Sequence, residues 1–149
     1  MRGRGKQRQI GMTGPARLFR ARQAMGDIVR GIALVAHDGF SARYDLDRIR
    51  GIFSRPGHKL AGQSYVGRVL VLDTAKGGVA SAWMLNEMKS RGVVPLALVF
   101  NSVNPILVQG AALADLPMLA GFDEDITAAI PHGSEVEVNP GNGVLSVLE

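Results

Sequence analysis

The chain has 149 residues, 46% of them hydrophobic and 20% charged, with a formal net charge of +4 and no cysteine. One compact domain with a real core fits those figures; they exclude an intrinsically disordered chain and remove disulfides, thiolate nucleophiles and cysteine ligation of zinc or iron–sulfur clusters. No apolar run approaches the roughly 20 residues that span a bilayer.

The charge is unevenly placed. Residues 1–24 hold Arg2, Arg4, Lys6, Arg8, Arg17, Arg20 and Arg22 and no acid, while residues 25–149 hold ten basic residues against thirteen acidic ones. The basic character therefore belongs to a leader, expected to be disordered or to lie upstream of a natural start at Met25. A transit peptide and an RNA-binding tail are the competing readings. The leader has no apolar h-region, which argues against a secretory signal and for a cytoplasmic protein. The domain itself is expected over 25–149. It has no nucleic-acid-binding motif and no aromatics interleaved with a basic patch, so nucleic acid is not the expected partner.

In chain order, DIVRGIALVA (27–36) reads as a strand, HDGFSARYDLDRIRG (37–51) as a long polar connection, and GIFS as a short strand before the loop RPGHKLAGQS (55–64). VGRVLVLD (66–73) is apolar at almost every position, as strands covered on both faces are. After the loop DTAKGG comes a helix over 81–92: Trp83 or Met84, Leu85 and Met88 recur at helical spacing, and Gly92 is its expected stop. PLALVFN (95–101) is another strand. Asn104 followed by Pro105 is a helix start, and Gly110, Ala111 and Ala112 are expected to let that helix approach the sheet closely. LPMLAGF (116–122) reads as a short strand and DEDITAAI as a short helix with acid in its first turn. SEVEVNPGNGVLSVLE alternates around a Pro-Gly-Asn-Gly turn and predicts a C-terminal hairpin. The pattern is that of an α/β domain, a β/α sandwich or small barrel.

Little of the chemistry is decided by motif. The order Lys76-Gly77-Gly78 matches neither a phosphate-binding nucleotide loop nor a dinucleotide fingerprint. Gly77 and Gly78 can expose amides, the helix offers its positive end and Lys76 adds charge, so an anion site and a plain strand-to-helix turn both stay open. His37, His58 and His132 lack metal-ligand spacing and read as surface or locally bonded residues. Asp123-Glu124-Asp125 reads as helix-start chemistry rather than a cation site, and Trp83 reads as core.

Taken together, HKLAGQSYVGRVLVLDTAKGG, the helix with Trp83, and NPILVQGAALADLPML resemble the swivel domain of the aconitase X family, over about residues 27–147. The resemblance implies a swivelling β/β/α fold that works with a large subunit. That partner would carry an iron or iron–sulfur centre through cysteines this chain lacks, and no metal is expected on this chain alone. It also implies dehydration of a small anionic hydroxy acid, cis-3-hydroxy-L-proline in many bacterial members and mevalonate 5-phosphate in archaeal ones. In that chemistry iron is the Lewis acid and a loop serine the base.

Family loops commonly place serines after glycine-basic-glycine. Here Gly78, Val79 and Ala80 stand at those positions, Ser81 falls on a glycine position and Ala82 on a serine position. Ser81 is thus read first as N-cap of a helix beginning at Ala82, and second as the base. Where family members often carry an aromatic segment, this chain has Ser41-Ala42-Arg43-Tyr44, whose Arg43 can meet a carboxylate. Lys76, Gly77, Gly78, Arg43 and His58 are the expected substrate contacts. The rival reading is a non-catalytic assembly module that has lost the catalytic serine; an RNA-associated protein using its basic leader is a weaker third.

Overall fold

The computed structural model describes residues 17–76 and 78–148. Among the described residues, ten strands and three helices follow the order β1 (Arg17–Arg20), β2 (Gln23–Met25), β3 (Val29–Phe40), β4 (Leu46–Asp47), β5 (Ile52–Phe53), β6 (Val69–Ala75), α1 (Val79–Arg91), β7 (Ala97–Ser102), α2 (Pro105–Leu113), β8 (Met118–Ala120), α3 (Ile126–Ala129), β9 (Glu135–Asn139) and β10 (Val144–Val147). Eight strands form one sheet in the order β1-β10-β9-β3-β6-β7-β8-β2, and β4 pairs with β5 apart from it.

β3 joins two halves of this sheet. Its first part, Val29–Ile32, runs antiparallel to β9, and from Ala33 onward it runs parallel to β6, with a register shift between Ala36 and Gly39. β6, β7 and β8 continue in parallel. The alternation of side chains across each parallel strand then builds two cores. Leu34, Leu70, Leu72, Leu98 and Phe100 face Leu85 and Met88 of α1 and Leu107 and Ala111 of α2. Val35, Val69, Val71 and Val99 face Val136, Val138 and Leu145 of the hairpin. This β/β/α layering explains why the central strands read as unbroken apolar runs. It is the swivel-type architecture expected from the sequence.

The leader boundary is corrected. Residues 17–24, assigned from charge to the leader, supply with Met25 both edges of the sheet: β1 pairs with β10 and β2 with β8. Phe19 is buried between the sheet halves, so an arginine-rich stretch carries an inward-facing strand pattern that its charge concealed. The acidic run then has partners. Arg22 pairs with Asp123 and Arg17 with Glu124. Asp125 caps α3 and accepts from Thr127 Oγ1 at 2.6 Å and Asn101 Nδ2 at 2.8 Å. Those hydrogen bonds hold its carboxyl below the ordinary value.

The helix ends follow the residues. Asn104 Oδ1 accepts from the Leu107 N–H at 2.9 Å, with Pro105 at the first helical position. Gly92 closes α1 in the left-handed conformation, φ 73°. Gly110 does something other than expected. A Cβ there would lie 2.5 Å from Ala82 Cβ and 2.6 Å from Ala82 Cα, so Gly110 lets α2 close on α1, while Ala111 faces the core and Ala112 is exposed. Among the described residues, no helix is long and apolar enough to cross a membrane.

Candidate functional site

At the carboxyl ends of β3 and β6 lies a cleft of about 570 Å³. Asp38 to Asp45 form one wall, Arg55 another, and Lys76, Gly78, Ala80 and Ser81 the third, where β6 hands over to α1. The register shift in β3 prolongs that strand to Phe40, and the Lys76 N–H donates to Phe40 O at 2.7 Å. The stem of Lys76 crosses Gly39, where a Cβ would come 3.2 Å from Lys76 Cε. The structure thus brings together four of the expected residues, Lys76, Gly78, Arg43 and Ser81. Gly77, the fifth member of that expectation, lies outside the described residues.

Ser81 is not an N-cap. The helix starts at Val79, two to three residues earlier than expected, with Gly78 at the cap position and no side-chain cap hydrogen bond. That puts Ser81 in the first turn on the buried face, 3% exposed, lining the cleft. Among the described residues, its hydroxyl has no hydrogen-bond partner. The first-turn amides and the helix dipole converge on the same mouth, a favourable setting for negative charge.

His58 does not contact the cleft. Its ring is fully buried and stacks on Phe53 with centroids 4.6 Å apart. Nδ1 accepts from the Leu60 N–H at 3.0 Å, and Nε2 donates to Gly39 O at 2.8 Å. Both nitrogens are spent on backbone, so His58 supports the wall behind Gly39. The other two histidines are also locally bonded: His132 Nδ1 accepts from the Val35 N–H, and His37 Nδ1 lies 3.1 Å from Thr127 Oγ1.

Three charged residues that sequence reasoning did not single out fix the opposite wall. Arg55 Nε donates to Asp45 Oδ1 at 2.6 Å and Nη2 to Asp38 Oδ1 at 3.3 Å. Asp45 Oδ2 accepts from the Ser41 N–H, and Ser41 Oγ from the Tyr44 N–H. Asp38, Asp45 and Arg55 are spread over β3 and the connection after it among other charged residues with no motif spacing, and only the fold shows which of them meet. The hydrogen bond and charge of Asp45 raise the Arg55 guanidinium further above its ordinary value. Burial works to raise Asp38, but N–H donation from Gly39 and Lys59, aided by Arg55, holds it below the usual carboxylate value of 3.8.

A pH dependence follows. Because the folded-state value of Asp38 is depressed, its contribution is complete at neutral pH and is lost as pH falls through 3.8 and below. The difference in melting temperature between wild type and Asp38→Asn is expected to be largest near pH 7 and to shrink steadily as pH falls below 3.8. Thermal melts across that range check it, and a difference that grows on acidification contradicts it.

With Arg55 neutralised by two carboxylates, Lys76 and Arg43 remain. Both are exposed, both line the cleft, and among the described residues neither has an acidic partner. Arg43 lies over the Tyr44 ring, 5.3 Å from its centroid, at the rim. The arrangement can hold an anion between two free cations and the amides of α1, with a free hydroxyl beside it.

Comparison with known proteins bears on the family and the fold. A sequence model of the aconitase X swivel domain matches residues 18–147. The phosphomevalonate dehydratase small subunit of Methanopyrus kandleri is 33% identical over 111 residues, 74% of this chain and 82% of that protein. The protein of the same name from Archaeoglobus fulgidus is 30% identical over 119 residues, 80% of this chain and 89% of that one. The holo-form crystal structure of aconitase X from Thermococcus kodakaraensis superposes with a TM-score of 0.83 at 25% identity, covering 90% of this chain and 100% of the matched one. The solution structure of a UPF0107 protein gives 0.80 at 28% identity, covering 89% and 100%.

Proposed function

Because the chain belongs to the aconitase X swivel-domain family, we propose that it is the small subunit of a two-subunit cytoplasmic dehydratase acting on a small anionic hydroxy acid. The observation that carries this reading is that one cleft is lined by Lys76 and Arg43, neither with an acidic partner among the described residues, and by the first turn of α1 with the Ser81 hydroxyl. The substrate's acidic group lies between Lys76, Arg43 and the amides after Gly78. Dehydration removes a proton and a hydroxyl from neighbouring carbons as water and leaves a double bond. In this reading Ser81 Oγ takes that proton; its position in the first turn of α1 beside Lys76 supports the reading, because positive potential there favours the alkoxide.

The residues of this chain do not fit the iron centre expected for such an enzyme. There is no cysteine, and among the described residues no three His, Asp or Glu side chains stand together to hold a metal ion. Its place is the large subunit.

One observation favours a second reading. The positions ahead of Ser81, Gly78 at the cap and Val79 and Ala80 in the first turn of α1, hold no serine where its family commonly has them, which fits a subunit kept for assembly alone. Co-expression with a candidate large subunit, followed by assay on phosphorylated hydroxy acids and hydroxyprolines, separates the two. Activity that appears only in the mixture supports the enzyme. A tight complex inactive on every substrate supports the assembly module, and no complex at all contradicts both.

A further inference from the structure

The outer face of the helical layer is apolar and uncovered. Trp83, read from spacing as core, is 65% exposed. The residues α1 turns inward are Ser81, Leu85 and Met88, which leaves Trp83 on the far side of that helix. Val79 and Trp83 of α1 stand beside Ile106 and Leu113 of α2, and together they line a groove of about 260 Å³. Val79 is 62% exposed and Leu113 75%. Closure of the helices at Gly110 and Ala82 forms the groove floor.

No lining residue is charged. Glu87 of α1 is turned away toward Arg48 and Arg91, and Lys89 donates to Asp115 O. A tryptophan among aliphatic side chains, with Asn86 and Gln109 as the polar members of the lining and no charge, is the composition of an interface centre.

The position of the groove identifies what covers it. Val79 lines the groove, while Gly78, Ala80 and Ser81 of the same turn line the cleft. A body that closes the cleft over Ser81 therefore meets Val79 and Trp83 within one helical turn. We infer that the α1–α2 groove around Trp83 is the docking surface for the large subunit, so that one contact both holds the two chains together and seats the first turn of α1 against the partner. This inference rests on the small-subunit reading above and deepens it.

The test is the affinity of the purified full-length chain for the co-expressed large subunit, measured for wild type, Trp83→Asp and Glu135→Lys. Glu135 is exposed on β9, on the hairpin side of the sheet. Circular dichroism melts of the isolated chains show that each variant is folded, and Trp83→Phe, which keeps the apolar ring, serves where Trp83→Asp does not fold. Trp83→Asp is expected to weaken assembly at least about thirtyfold, as loss of an interface tryptophan does, with Trp83→Phe weakening it less and Glu135→Lys leaving it unchanged. The inference is overturned if a folded Trp83→Asp binds within about threefold of wild type, or if the variant abolishes self-association while heteromeric affinity is kept. A wild-type chain that is folded and binds no large subunit overturns the small-subunit reading together with this surface.

Discussion

A chain beginning at Met25 is expected to fail to fold. Such a deletion removes β1 and all but the last residue of β2, exposing the ladder edges of β10 and β8 at once. It also takes Phe19, 3% exposed, out of the core between the sheet halves. Loss of one buried phenylalanine side chain costs about 3–5 kcal/mol, against a total stability of about 5–15 kcal/mol for a domain of ordinary size. The single variant Phe19→Ala is therefore expected to remain folded at 25 °C with a clearly lowered melting temperature. The deletion is expected to lose the cooperative transition altogether. Denaturation followed by circular dichroism distinguishes these results, and a deleted chain that melts like the full one contradicts the role given to β1 and β2.

Replacing Ser81 by alanine is expected to have the largest effect on chemistry. Alanine keeps the helical first turn and nearly the same volume, so α1 and assembly stay intact. Removing the base that takes the substrate proton is expected to lower kcat about 10²- to 10⁴-fold, with KM little changed. Steady-state rates of the reconstituted pair read the effect. Activity that survives Ser81→Ala removes the serine from the reaction, and a companion change in KM moves its role from proton transfer to binding.

Much of this molecule was legible in the residues. Asn104-Pro105, Gly92 and the Pro-Gly-Asn-Gly turn announced their helix start, helix stop and hairpin because each acts through local backbone chemistry. Continuous apolar runs located β3, β6 and β7 because both faces of those strands are covered. What failed depended on partners distant in sequence. β1 was hidden because arginines begin and end it around a single buried residue, Phe19, and only pairing with Val144–Val147 reveals the strand. Trp83 has core spacing, yet the face it occupies is decided by where α2 lies. Asp38, Asp45 and Arg55 come together only once the connection from β3 to β6 has folded back on itself. His58 was a substrate contact only by the family resemblance; the fold uses both of its nitrogens to hold backbone, the locally bonded role that its spacing suggested. Ser81 moved from cap to cleft through a helix start two to three residues earlier than expected.

The decisive measurement is the KM of the reconstituted two-subunit enzyme with Lys76→Ala in this chain. Lys76 is one of two cleft cations without a carboxylate beside it among the described residues, so its loss is expected to raise KM for the anionic hydroxy acid about tenfold or more. Subunit affinity should stay at the wild-type value, because Lys76 lies outside the Trp83 groove. An unchanged KM with an intact complex would mean that the anion binds elsewhere, and that this cleft is not where the substrate is held.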